Sequence, residues 1–398
     1  MKQSFESLVV IAAIAAFVPL IVGLLRIKVA EVVLLLGGGI IFGPYLLGWI
    51  HVDESISLLS ELGLGMLFFL AGMELERRAV TGQGGRLAAI GWFASLAVAA
   101  VLSIAMTVAG DVHDTLGVAI ALTSTALGTL LPVIRDRGEL NTRFGTLFMG
   151  AGAWGEFGPI IAISVLLGTK SSFAAILSLV GFAIVALFIA WISRRMSNDR
   201  VQAIFERGHH TSSQTALRFT MLLMVLLLGM ADVFGLDVVL GAFVAGVIVR
   251  QLAPHATETT LQLRIEAIGF GFLIPVFFVV SGANLDVVSI VENPLALLRF
   301  FVCIIVARGL VQYLLYRRAV PDRRERARFS LYVATGLPII VAVTSIEVDA
   351  GVMIPSNAAA LVGAGALSVL AFPLIGNALV RRNELAEVDG QERAANTV

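Results

Sequence analysis

An all-α, polytopic membrane protein is the fold class that this sequence predicts, on three observations. Hydrophobic residues make up 58% of the 398-residue chain and charged residues only 14%, a balance that a soluble globule of this length could not bury and cover. Apolar runs of about 18–25 residues recur along almost the whole chain. The charges fall between these runs, in alternating basic and acidic clusters. Lipid offers no hydrogen-bond partner to a bare peptide group, so each run must be a helix or a strand of a closed barrel, and the runs are too long for strands.

Thirteen spans fit the runs, at roughly 6–25, 29–50, 57–74, 87–108, 115–135, 143–167, 172–193, 214–231, 235–251, 265–290, 294–316, 329–348 and 357–380. They form one transmembrane domain over 1–383, followed by a short polar tail at 384–398. The loops on one side receive all but four of the 28 Lys and Arg residues. Arg77 and Arg78, Arg135 and Arg137, the run "RRAVPDRRERAR" (317–328), and Arg381 and Arg382 are among them. The other side carries Lys2 and Lys170 but is otherwise acidic, with Asp53, Asp111, Asp114, Asp237, Glu292, Glu347 and Asp349. Basic loops stay cytoplasmic, so the N-terminus is expected outside and the C-terminus inside a multi-pass protein of the cell (inner) membrane. The run at 317–328 reads as an anchor at anionic lipid headgroups. With a lone Lys2 and no small-residue cleavage site, the first run reads as a retained helix and not a signal peptide. The single Cys303 excludes a disulfide framework. His209 and His210 lie in a basic loop without a matching ligand set and read as solvated.

The chain also resembles itself. "LFFLAGMELE" (67–76) aligns with "FFVVSGANLD" (277–286), placing Gly72 on Gly282, and "EVVLLLGGGIIFG" (31–43) aligns with "DVVLGAFVAGVIV" (237–249). Both offsets are near 210 residues. Two six-helix repeats, at about 6–167 and 214–380, with 172–193 as connector, account for this. A seven-span offset reverses direction, so the repeats are inverted in the membrane, as in alternating-access transporters with a site at the midplane between broken helices. The fifth and twelfth spans are the candidates. "ALTSTALGTLLP" (121–132) carries Thr123, Ser124, Thr125, Gly128 and Pro132, and "VATGLPIIVAVTS" (333–345) carries Thr335, Gly336 and Pro338. Proline and glycine weaken helix continuity.

Two ionisable residues interrupt otherwise apolar spans. Glu156 sits within "FMGAGAWGEFGPIIAISVLL" (148–167), and Arg308 within "FFVCIIVARGLVQYLL" (300–315). A charge at bilayer depth is costly and marks function by default. Glu347 is placed to guard an external mouth.

The motifs "GGGIIFGP", "GMLFFLAGMELE", "ALTSTALGTLLPVIRDRGELNT", "LGAFVAGVIV" and "IPVFFVVSGANLD" cover nearly the whole chain in order. In these the chain resembles the second branch of the monovalent cation/proton antiporter superfamily, which holds sodium/proton antiporters and the membrane domains of potassium efflux systems. The resemblance implies a thirteen-helix fold, a dimerising panel beside a mobile core, two crossed broken helices and a homodimer. Where the family has a dyad ending in aspartate, this chain reads Gly155-Glu156, so the acid is lengthened and its neighbour's side chain is missing. Arg308 matches a cation that the family often sets facing that acid. Potassium efflux relatives attach a cytoplasmic nucleotide-binding domain, and that control is expected to be absent from these 398 residues.

The implied chemistry is competition between a proton and a transient monovalent metal cation, sodium or potassium, for the oxygens of Glu156. Hydroxyls of Ser124 and Thr125, and less of Thr123, would complete a hard-cation shell. Arg308 keeps its proton, so one acid holding either ion predicts electroneutral one-for-one exchange. A sodium-coupled organic-anion symporter is the alternative, followed by a channel or a transport-inactive ion or pH sensor. No nucleophile–base set or metal-ligand spacing suggests an enzyme. No cofactor and no nucleic-acid partner are expected.

Overall fold

The structure, a computed structural model, describes residues 2–25, 31–74, 83–140, 142–164, 172–196, 214–236, 238–252 and 255–379. The expectations placed on Arg77, Arg78, Lys170, His209, His210, Asp237, Arg381, Arg382 and the tail lie outside these residues. Among the described residues all regular structure is helical. Eight segments are long and apolar enough to cross a membrane, and three shorter apolar helices accompany them.

In chain order the helices are α1 (Lys2–Leu25), α2 (Glu31–Phe42), α3 (Glu54–Glu74), α4 (Gln83–Val108), α5 (Thr115–Ala121), α6 (Leu127–Asp136) and α7 (Arg143–Ala162). Next come α8 (Ser172–Met196), α9 (Thr215–Phe234), α10 (Val238–Leu252), α11 (His255–Ile268) and α12 (Ile274–Ala283). The last are α13 (Val287–Glu292), α14 (Pro294–Ile304), α15 (Val311–Leu315), α16 (Arg323–Ala334), α17 (Pro338–Asp349) and α18 (Pro355–Ala378). One π-helical turn, Gly269–Leu273, joins α11 to α12, and another, Ile305–Leu310, joins α14 to α15. α2 ends eight residues before the expected 50. Pro44 follows at once, has no amide to continue the ladder and restricts the residue before it.

The fifth and twelfth spans are each interrupted, as expected. The positions differ in one respect. The first break covers Leu122–Ala126, between α5 and α6, so Gly128 and Pro132 both lie inside α6 and not at the break. An interior proline removes one backbone bond without ending a helix that is otherwise held by packing. The second break covers Thr335–Leu337, and Pro338 opens α17, where its missing amide costs nothing.

The chain forms two compact units, Met1–Leu75 with Ile160–Asn284, and Glu76–Pro159 with Leu285–Val398. In the first unit, helices cross at reciprocal glycines. A methyl group at Gly72 of α3 would stand 2.1 Å from the Phe243 carbonyl of α10, and one at Gly246 of α10 would stand 2.0 Å from the Phe69 carbonyl of α3. α2 and α12 cross in the same way: Gly39 would meet the Val279 carbonyl at 2.0 Å, and Gly282 the Leu36 carbonyl at 2.2 Å. Only hydrogen fits at these four positions, and that lets the backbones touch. Gly72 and Phe69 stand 210 residues before Gly282 and Val279, and Leu36 and Gly39 stand 207 residues before Phe243 and Gly246. The two crossings therefore repeat one pattern, at the 210-residue offset of one sequence match and one residue from the 206-residue offset of the other.

The second unit has an aromatic core of Phe144, Phe148, Tyr316, Phe329 and Tyr332, packed with Leu127, Leu130 and Val333. Arg328 stacks on Phe144 of this core and Arg326 on Tyr313, which corrects the reading of 317–328 as a headgroup anchor at these two positions. Both are buried. Arg326 donates to the carbonyls of Val320 and Pro321. Arg328 forms a two-pronged ion pair with Glu139, at 2.9 and 2.8 Å, and lies 4.0 Å over the Phe144 ring. A charge-dense run on a polar helix face looked solvated, but the planar guanidinium stacks on aromatic rings and can be buried once paired.

Alanine at Gly246 or Gly39 forces its crossing apart. The expected cost is about 1–3 kcal/mol, read as a lower thermal unfolding midpoint in detergent. Gly37→Ala, whose methyl meets nothing within 4 Å, leaves that midpoint unchanged or raises it.

Candidate functional site

The two interrupted spans meet in the second unit. Peptide groups released from helical bonding find partners across the meeting point. The Thr125 amide donates to the Gly155 carbonyl of α7 at 3.0 Å, and the Ala126 amide donates to the Thr335 carbonyl at 2.6 Å. The Gly336 amide donates to Ser368 Oγ of α18 at 3.2 Å. A methyl group at Gly336 would lie 2.4 Å from Ser124 Oγ, so the two breaks are in direct contact. Each bond replaces one that a continuous helix would have made, which membrane depth requires.

α7 carries the acid to this point. Small residues at Ala151, Gly152 and Gly155 lie on one face of α7; Gly152 admits the Leu127 side chain and Gly155 those of Thr125 and Arg308. Glu156 follows, half-buried, and its Oε1 accepts from the amide of Leu127 at 2.9 Å. Leu127 is the first residue of α6. The carboxylate thus sits at the amino end of a ten-residue half-helix, where exposed amides and the helix dipole favour negative charge.

Arg308 is 1% exposed. Nε and Nη2 donate to Thr125 Oγ1 at 3.2 and 3.0 Å, and Nη2 also donates to the Ala151 carbonyl at 2.9 Å. It sits in the π-helical turn between α14 and α15, a local widening that often accompanies a functional side chain. One turn on, Gln312 donates to the Gly91 carbonyl at 2.9 Å and to Ser95 Oγ at 3.2 Å, pinning the helix against α4.

The three hydroxyls are not equivalent. Thr123 Oγ1 donates back to the Ile120 carbonyl at 2.7 Å. Thr125 Oγ1 donates to the Val333 carbonyl at 2.6 Å and accepts from Arg308, so it is committed to the scaffold. Ser124 Oγ is buried without a partner, as is Nη1 of Arg308. A buried polar atom left unpaired in a protein that pairs its neighbours marks a place for a missing partner. Thr335 is bound within its own helix, through Oγ1 to the Leu331 carbonyl at 3.0 Å.

Gly155 is explained by the same geometry. A methyl there would stand 2.2 Å from Thr125 Oγ1 and 2.6 Å from Arg308 Nη2. The volume in which a dyad side chain would stand is filled by the threonine–arginine contact. Gln312 and Ser368 were not singled out by sequence reasoning. A lone amide and a lone hydroxyl in apolar spans were their only signals, and such residues are common at helix contacts.

The fold and this crossing define a multi-pass helical membrane protein built around interrupted helices. Residues 12–382 match the model of the family described as "Sodium/hydrogen exchanger, transmembrane", and the chain belongs to that family, within the monovalent cation/proton antiporter superfamily. It is 23% identical over 409 residues to "Putative Na(+)/H(+) antiporter YjbQ" of Bacillus subtilis (strain 168), covering 96% of this chain and 64% of that protein. It is 25% identical over 400 residues to "Glutathione-regulated potassium-efflux system protein KefC" of Escherichia coli O139:H28, covering 97% of this chain and 62% of that one. The chain thus spans somewhat under two thirds of the length of these relatives. The sodium proton antiporter MjNhaP1 of Methanocaldococcus jannaschii superposes with a TM-score of 0.64 at 18% identity, over 95% of this chain and 99% of that one, and so shares the fold.

Gly155→Asn, which reinstates an amide beside the acid, is expected to lower the thermal unfolding midpoint by the equivalent of about 1–3 kcal/mol. Adding Thr125→Ala to it recovers part of that loss, because the two side chains compete for one volume. A Gly155→Asn protein as stable as wild type would contradict this packing.

Proposed function

We propose that this chain exchanges a monovalent cation, sodium or potassium, for protons by alternating access, with Glu156 as the group that both ions occupy in turn. The observation that carries this reading is the carboxylate of Glu156 at the amino end of α6, where two interrupted helices cross. The names of the similar proteins and the family placement support the same class of reaction.

The acid has reasons to hold either ion. Its half-buried position favours the neutral, protonated form, while the Leu127 amide and a bound cation favour the ionised form. Deprotonated, it offers oxygens to a hard cation, and the unpartnered Ser124 hydroxyl of the adjoining break is a further ligand of the right kind. Thr125 has the role of holding Arg308 and not of ligating the cation. Arg308 is the charge partner of the site: it is ionised in every state and supplies a fixed positive field. Thr123 is the weakest candidate ligand, since its hydroxyl is bonded within its own turn.

One acid gives one proton or one monovalent cation per cycle, so both loaded forms carry equal charge and exchange is electroneutral, one for one. Thirteen crossings are proposed, with the N-terminus outside, the C-terminus cytoplasmic and the protein in the inner membrane as a homodimer. The repeated glycine crossings at offsets of 210 and 207 residues support two related halves, the arrangement that alternating access uses.

In proteoliposomes, an inward gradient of sodium or potassium is expected to drive proton efflux, and Glu156→Gln is expected to reduce it to the protein-free background. Arg308→Ala is expected to reduce it at least tenfold, through loss of the Thr125 and Ala151 contacts. Clamping the membrane potential with valinomycin should leave the wild-type rate unchanged. Cation-driven proton movement that survives Glu156→Gln would move the exchange site elsewhere, and a rate that follows the clamped potential would overturn the one-for-one count.

A further inference from the structure

A pair of acids lies in the same unit as the crossing, on the far halves of the two interrupted spans. Asp114 precedes α5 and caps it, with Oδ1 accepting from the Gly117 amide at 2.9 Å. Glu347 lies in the last turn of α17. Asp114 is 4% exposed and Glu347 is 3% exposed. Oδ2 of Asp114 and Oε2 of Glu347 are both buried without a hydrogen-bond partner, and the two side chains approach each other beside Gly117. Gly117 makes the room: a methyl group there would stand 2.1 Å from Asp114 Oδ2 and 2.9 Å from Glu347 Cγ.

The surrounding charges do not neutralise this pair. Asp111, on the connection between α4 and α5, forms an ion pair with Arg299 of α14, which occupies that cation. The Asp111 carbonyl accepts from Asn357 Nδ2 of α18 at 3.2 Å. His113 is the neighbour of Asp114 in sequence, and Asp349 ends α17, exposed. Among the described residues no ion pair reaches Asp114 or Glu347. Two ionised carboxyls in contact and away from water repel strongly, and both unpaired oxygens are satisfied if one carboxyl is protonated and donates to the other.

We propose that Asp114 and Glu347 bind one proton between them, and that this proton joins the outer halves of the two interrupted helices. The site stands on the burial of the two acids, their unpaired oxygens and their approach beside Gly117. Its consequence for transport rests on the antiport reading and on the proposed orientation, which places both acids at the external end. α5 and α17 run from these acids directly to the breaks at Leu122–Ala126 and Thr335–Leu337. Loss of the proton leaves two negative charges in contact and pushes the outer half-helices apart, so external pH acts on the crossing without titrating Glu156.

The test uses the full chain in lipid, in the Glu156→Gln background, so that the exchange carboxyl is silent. Infrared difference spectra should show the carbonyl stretch of a protonated carboxylic acid at neutral pH, lost reversibly as pH rises. The band should disappear in Glu156→Gln/Glu347→Gln and likewise in Glu156→Gln/Asp114→Asn, two near-isosteric changes that check each other against misfolding. With Glu156 intact, Glu347→Gln is expected to shift the external pH of half-maximal exchange by about one unit or more, or to flatten the profile. A missing band, a band that survives both substitutions, or one abolished by sodium or potassium at constant pH would overturn the proposal, the last by making the pair a cation site. The band present in Glu156→Gln and lost in both double variants, beside a wild type that carries no cation-driven proton flux, would remove the antiport reading and leave the proton site standing.

Discussion

Peptide groups at membrane depth must find partners within the protein, and the crossing of the two interrupted helices is where this constraint is most demanding. Breaking a helix frees amides and carbonyls that lipid cannot satisfy. Here the Thr125 amide reaches Gly155, the Ala126 amide reaches Thr335, and the Gly336 amide reaches Ser368. These contacts require helices with almost no side chain between them. The glycines at 155 and 336 follow from that need, and Glu156 then falls next to the free amide of Leu127. The backbone arrangement comes first, and the position of the acid is its result.

The same constraint explains the division of labour among polar side chains. Arg308 is fully buried and its charge has to be solvated by something other than water. Thr125 and the Ala151 carbonyl provide much of that solvation. This commits the threonine and fills the space beside Glu156, so the residue before the acid has to be glycine. Ser124, one residue away but aimed at the other break, is left with an unused hydroxyl. Neighbouring residues of one short loop thus differ: one stabilises a fixed charge, and the other keeps a buried hydroxyl unused.

Much of this was legible in the sequence, for definite reasons. Lipid tolerates so few charges that Glu156 and Arg308 stood out against their apolar surroundings, and thirteen apolar runs with alternating loop charge pointed to a polytopic helical protein. The interruptions of the fifth and twelfth spans were legible from their hydroxyl, glycine and proline content. Their exact positions were not. Gly128 and Pro132 are the stronger local signals, but the first break falls before them, where tertiary acceptors for the Thr125 and Ala126 amides exist. The commitment of Thr125, the burial of Arg326 and Arg328, and the meeting of Asp114 with Glu347 all depend on segments distant in sequence. Composition and periodicity describe one segment at a time and carry no information about such encounters.

The ion pair between Arg328 and Glu139 adds a mechanical consequence. It clamps α16 to the turn that follows α6, with two hydrogen bonds and a ring stacked beneath the guanidinium. These are the halves of the interrupted spans opposite to those that carry Asp114 and Glu347. One end of the crossed pair is therefore riveted by an ionic fork, and among the described residues no ion pair joins α5 to α17 at the other. A strain applied to this bundle would be taken up unevenly, with the compliant end yielding while the riveted end serves as its fulcrum.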